Sequence, residues 1–189
     1  MTKPDNYFGM LKFLSVILAL SFLGGWVPEA DAATESKTVQ LRAKLARAIL
    51  KHPRITFLRK QVSGRSDGAS AYHNLLGAAR GQASKRSSYG NAPGGWKQLD
   101  VRMLYGMLRL AESGYSFRVT SIAGGSHSKR SRHYRGTAFD VDTINGVRVG
   151  RRGCPYRRFM KRARIYGATE VLGPGSRGHS THVHAAWPN

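Results

Sequence analysis

Two short stretches of the chain hold residue types able to do chemistry together. In SRHYRGTAFDVD, residues 131 to 142, His133 and Asp140 stand seven positions apart with Gly136 and Ala138 between them; in THVHAAW, residues 181 to 187, His182 and His184 alternate. Imidazole and carboxylate are zinc ligands, and three protein ligands with a fourth position left open make a catalytic rather than a structural site. If 181–187 is a strand, its period of two sends His182, His184 and Ala186 to one face, the two imidazoles about 6 to 7 Å apart. One can then ligate a metal while the other acts beside it. If 137–143 is a second strand, Ala138, Asp140 and Asp142 share a face, and a loop-borne His133 can fold back beside Asp140. His133, Asp140 and His184 would then form a three-ligand site. Spacing alone leaves the plainer reading open, because a lone loop histidine is usually solvated and Asp140 has many arginines to pair with.

The elements that must position these residues are legible from periodicity. Leu41, Leu45, Ile49 and Leu50 repeat at helical spacing across residues 36–51, with Ser36 or Thr38 as caps and Pro53 as the stop. Val101, Leu104, Leu108 and Ala111 predict a helix across 99–113, closed by Gly114. Residues 116–122 alternate as a strand, and 137–143 turn through Asn145-Gly146 into 147–149. A basic amphipathic helix is predicted over 155–166, with Tyr156, Phe159, Ala163 and Tyr166 inward, followed by strands at 169–173 and 181–187. Residues 62–95 are rich in Gly, Ser, Lys and Arg and read as a long irregular connection lying over a site, with a brief helical chance at 71–79. Helices before and between short hairpin-joined strands make the class α+β, a small and largely antiparallel sheet with helices packed on it and the metal site on the sheet face.

Charge and the first residues bear on location and partners. The 189-residue chain opens with a basic start, an apolar run at 13–26 and an Ala30-Asp31-Ala32 end, the pattern of a secretory signal peptide over 1–32 cut after Ala32. Fourteen residues are fewer than the roughly 20 a spanning helix needs, so no transmembrane span is expected after cleavage. Residues 33–98 then form an N-terminal helix and basic connection, continuous in one domain with a core over 99–189. The expected location is periplasmic or secreted, and the expected state a monomer. Loss of the leader raises the net charge from +21 to +22. Such a charge draws the chain to polyanions, for an exported protein to anionic envelope polymers, and export argues against nucleic acid. Cys154 is the single cysteine, so no internal disulfide forms and a structural thiol is expected.

The pattern S-x-H-x-x-G-x-A-x-D, at Ser131, His133, Gly136, Ala138 and Asp140, together with the closing H-x-H, resembles the zinc D-alanyl-D-alanine carboxypeptidases and L-alanyl-D-glutamate endopeptidases of bacterial and phage cell walls. The histidine, aspartate and H-x-H are also shared with the lysostaphin-type enzymes, and the resemblance covers about residues 99 to 187. It implies one zinc ion per chain on His133, Asp140 and His184, catalytic assistance from His182, and peptidoglycan as the partner. Many members place a glutamate base three residues before the last ligand; position 181 here is threonine, and Glu170 is only a distant candidate. Members often carry a carboxylate-holding arginine in an S-G-Y-R-S stretch, which here reads TSIAGGSHS, leaving Arg132 or Arg135 as substitutes. Ser131 is expected to fix the loop and Asp142 to orient a ligand histidine. His127 and His179, near the two motifs, read as loop residues. The expected function is an exported zinc peptidase cutting peptidoglycan stem peptides or cross-links. The alternative is a non-catalytic, highly basic protein that binds envelope polymer on the same fold.

Overall fold

The computed structural model describes residues 29–188, so most of the expected leader lies outside the described residues. The expected cleavage point after Ala32 falls inside the first turns of helix α1 (Glu29–Lys51), which begins earlier than the sequence pattern predicts. Among the described residues no helix is long and apolar enough to cross a membrane.

Beyond α1 come β1 (Ile55–Phe57), α2 (Ala71–Ala79), the two-residue strands β2 (Ser84–Lys85) and β3 (Trp96–Lys97), and α3 (Val101–Glu112). Then follow β4 (Phe117–Ser121), a 3₁₀ turn (Arg132–Arg135), β5 (Ala138–Ile144), β6 (Val147–Arg148), α4 (Tyr156–Ile165), β7 (Glu170–Leu172) and β8 (Val183–Ala186). The main sheet runs β1-β4-β5-β8-β7, with β6 paired to the far end of β5, and β2–β3 form a separate hairpin. The fold is α+β with a largely antiparallel sheet, as the sequence predicts; β1 adds one parallel pair with β4, and the β2–β3 hairpin lies largely in the stretch that reads as irregular. Periodicity could not show β1, because three residues after Pro53-Arg54 are too few for an alternation to register.

Alternation along the strands sorts the two faces. Val119, Phe139, Val141, Val183 and Ala185 join Ile49, Leu75, Leu104, Met107, Leu110 and Phe159 in one apolar core that runs from Leu45 to Trp187. Residues 33–98 therefore share a core with the remainder of the chain. Phe117 stacks on Phe139 at 6.4 Å, and Phe139 on Trp187 at 5.6 Å. The opposite face of β5 and β8 is left for Asp140 and His184, which are direct cross-strand partners.

Trp187 leaves no spare volume against α3. Its indole N–H donates to the Tyr166 carbonyl at 2.9 Å, and its ring lies so close to α3 that a Cβ on Gly106 would come within 2.1 Å of it. Gly106→Ala is therefore expected to destabilise the fold by overpacking, by about 1–3 kcal/mol. Thermal melting by circular dichroism checks this; an unchanged midpoint would show that Trp187 yields without cost.

Within residues 62–95, Val62 and Gly64 line a cavity that reaches Asp140 and His182, and the rest brace the loop after β4: Asn74 Oδ1 accepts from the Ala123 N–H at 2.8 Å, and Ser87 Oγ accepts from the Gly125 N–H at 2.8 Å. Gly124 lies so near the Ala69 carbonyl that a Cβ there would sit 1.9 Å from its oxygen. The segment acts as a buttress because its polar side chains satisfy backbone groups that the loop cannot satisfy itself.

Candidate metal centre

The turn that delivers His133 is set by its neighbours. Ser131 Oγ accepts from the His133 N–H at 3.3 Å and so caps the 3₁₀ turn. Gly136 ends it at φ 72°, where a Cβ would lie 2.5 Å from the Gln98 carbonyl oxygen, so both conformation and space require glycine. The chain then enters β5, the Asp100 N–H bonding back to the Gly136 carbonyl at 2.9 Å. Two residues on, Asp140 meets His184 across the β5–β8 ladder.

Three ligating atoms converge here. His133 Nε2 lies 3.1 Å from Asp140 Oδ1 and 3.0 Å from His184 Nδ1, and His184 Nδ1 lies 2.9 Å from the same Asp140 oxygen. The other nitrogen of each imidazole already faces an acceptor. His133 Nδ1 donates to the Ile122 carbonyl at 2.6 Å, and His184 Nε2 faces Glu170 Oε1 at 3.1 Å. With the outer N–H groups donating to those acceptors, the inner nitrogens are free to present lone pairs to a metal beside the Asp140 oxygen. Three acceptors about 3 Å apart repel unless a cation or a proton lies among them.

The ligating atoms of His127, His133 and Asp140 also lie within 4.8 Å of one another, a group that could hold a metal ion. Within the larger set of four, the triangle that includes His184 is the tighter. The His127 ring lies nearly flat on that of His133, centroids 3.9 Å apart at 12°, so their in-plane lone pairs run side by side. Its Nε2 is already occupied by Ser121 Oγ at 3.1 Å and the Gly124 carbonyl at 3.0 Å. Read from sequence as a loop residue, His127 in fact forms the floor under His133.

Electrostatics follow from burial and pairing. Burial alone would drive the His133 imidazole down, but ionised Asp140 and the Ile122 carbonyl hold it above its ordinary value. Burial would raise the Asp140 carboxyl, yet His133 and His184 keep it well below the usual carboxylate range. His127 is pushed down to about 4, chiefly by burial and then by His133. His182 is likewise lowered by burial, and is therefore neutral at pH 7.

The other predicted site residues fall in different places. His182 immediately precedes β8 and lines the same cavity of about 640 Å³ as His133, Asp140 and His184; among the described residues neither of its ring nitrogens is hydrogen-bonded. His179 packs against it at 4.8 Å. Arg132 spans the turn and the end of β8, donating to the Trp187 carbonyl at 2.9 Å with its Nε 3.9 Å from Glu170 Oε2. Arg135 is exposed on the cavity rim. Asp142 does not orient a ligand histidine: both its oxygens are held by Arg118 in a bidentate pair, and Oδ1 also accepts from Thr143 at 3.0 Å. Cys154 is half-buried, its thiol pushed up by burial, as suits a structural role.

Glu170 takes the orienting role instead. The alternation of 169–173 and its antiparallel pairing with 181–187 place it beside His184, a neighbour visible only once the two strands are paired. Glu170→Gln is expected to weaken metal affinity about 10- to 100-fold while leaving the fold intact. Competition with a chromogenic chelator measures this; unchanged affinity would show that His184 needs no partner.

Set against protein-family models, curated proteins and solved structures, the chain matches none. The site must therefore be read from its own geometry.

Proposed function

We propose that this protein is an exported zinc metallopeptidase that hydrolyses peptide bonds in peptidoglycan stem peptides or cross-links, as a D-alanyl-D-alanine carboxypeptidase or an endopeptidase. The observation that carries the reading is the convergence of His133 Nε2, Asp140 Oδ1 and His184 Nδ1, with both outer imidazole nitrogens already engaged. Two imidazoles and one carboxylate are a zinc-type donor set, and three protein ligands leave a position for substrate or water. When bound, zinc supplies a Lewis acid and a nucleophile active at neutral pH.

The chain's own residues do the rest. Glu170 and the Ile122 carbonyl hold the two ligand imidazoles in one tautomer and one orientation. His182, neutral and with free nitrogens on the same cavity, accepts the proton of the attacking nucleophile and returns it to the leaving amine. Arg130, Arg132 and Arg135 on the rim draw in negatively charged groups of the substrate. The peptidoglycan substrate rests on the resemblance of the two motifs and on the net charge of +21.

Mass spectrometry of muropeptides tests it, after incubating the zinc-loaded chain with purified peptidoglycan with and without chelator. Chelator-sensitive release of D-alanine, or a split cross-link, is expected. Unchanged muropeptides with zinc in place would remove the peptidase reading. The absent arginine in TSIAGGSHS favours one second reading, a basic wall-polymer binder. Its binding would weaken steeply with salt and ignore chelators.

A further inference from the structure

A second cavity, of about 680 Å³, adjoins the cluster and shares only Asp140 and His182 with the first. Its cations are Lys60, Arg118, Arg148 and Arg151. Its acids are both engaged: Asp142 by Arg118, and Asp140 by the two histidines. Arg118 is thus neutralised, while Lys60, Arg148 and Arg151 are exposed with no acidic partner among the described residues. This leaves an uncompensated positive wall beside the reactive position.

That wall is built rather than loose. Gly150, between the two arginines, has φ 89°, and a Cβ there would lie 2.5 Å from the Ser180 carbonyl oxygen. The loop carrying Arg148 and Arg151 is therefore seated directly on the segment that delivers His182. The Val149 N–H bonds to the Asp142 carbonyl at 2.8 Å, and the Arg151 N–H to the Arg148 carbonyl at 3.1 Å, fixing the loop to β5. The backbone that carries Arg148 and Arg151 is thus fixed, and both side chains line the cavity, where a guanidinium can bind a planar carboxylate through paired N–H donors.

We infer that the two cavities form one cleft passing through the metal cluster, and that Arg148, Arg151 and Lys60 bind a carboxylate of the peptide substrate on the side of His182 away from Arg132. The inference rests on the peptidase reading and adds a substrate requirement: a peptide with a free carboxylate reaching past His182. It also supplies a site for the anionic recognition that the TSIAGGSHS stretch, lacking arginine, does not provide.

The test uses the full zinc-loaded chain and a pair of synthetic stem peptides, one with its internal side carboxylates free and one with them as carboxamides. The wild type should cleave the free-acid peptide with kcat/KM about tenfold or more above the carboxamide, mainly through KM. Arg148→Gln with Arg151→Gln should abolish that preference, the free-acid peptide falling to the carboxamide's kcat/KM. The charge-matched pair Arg157→Gln with Arg158→Gln, outside both cavities, should keep it. A double variant that retains the preference overturns the inference. If the wild type cleaves neither peptide, the peptidase reading fails by itself. Calorimetric binding of the same two peptides then decides the subsite: preference lost in the Arg148/Arg151 variant upholds it, equal binding by wild type and variant refutes it.

Discussion

His184→Ala is expected to remove zinc and hydrolysis together, whereas His182→Ala loses about 10²- to 10⁴-fold in rate and keeps its metal. The two residues are neighbours in H-x-H yet differ in surroundings. His184 Nδ1 lies 2.9 Å from Asp140 and 3.0 Å from His133, with Glu170 behind it, so truncation opens the ligand triangle. His182 has no bond to the triangle, so its truncation leaves the three ligating atoms in place. Zinc content by atomic absorption, measured beside muropeptide hydrolysis, separates the roles. Full activity in either variant, or equal metal loss in both, would sink the assignment. Because His182 is held below its ordinary value, the acid limb of the activity profile should fall below pH 6.5.

Metal removal has the second large effect, and its sign depends on pH. In the metal-free chain His133 is held above its ordinary 6.5, so its pairing with Asp140 stabilises the fold fully below about pH 6.5 and is lost as pH rises through the raised folded value. Asp140, held well below 3.8, contributes stability above that value and loses it as pH falls through its lowered range. These two groups favour the metal-free fold in mild acid, whereas His127, held at about 4, and the lowered His182 oppose it there, because the unfolded chain takes up their protons first as pH falls below 6.5. Metal needs the unprotonated imidazole, so it competes with the proton and gains as pH rises. Zinc at about 1,000 times its Kd should add about 4 kcal/mol at pH 8, on the order of 8–16 °C in Tm, and much less at pH 5. Melting curves at both pH values, with zinc and with chelator, check this; an equal increment at the two would contradict a site closed by His133.

Much of this arrangement is legible in the sequence, and the reasons for the exceptions are physical. Helices α3 and α4 fall where period and glycine stops predict them, α2 realises what reads only as a brief helical chance at 71–79, and Asn145-Gly146 turns the β5–β6 hairpin with both residues at positive φ. A period of two and one tight turn set His133 beside Asp140 and put His184 on one face of its strand, and the β5–β8 pairing then brings the three together. Partners that depend on which strands lie side by side are not legible. Glu170 reaches His184 only through β7–β8 pairing, and Asp142 is captured by Arg118 only because β4 lies beside β5. His127 was hidden for another reason: a stacked ring carries no periodic signature. The buttress over 62–95 looked like a cover because Gly- and Ser-rich composition reports mobility of the backbone, not what its side chains bond to.

The strand order also sets a sequence of events in time. β8 lies between β5 and β7, both of which precede it in the chain. His133 and Asp140 are separated by 7 residues and can meet early, while His184 must close a span of 44 residues to reach Asp140. That longer closure costs about 1.6 kcal/mol more in chain entropy before any contact is made. The ligand triangle that includes His184 is thus the costlier one to close, while His127, His133 and Asp140 lie close enough in the chain to gather before β8 is in place.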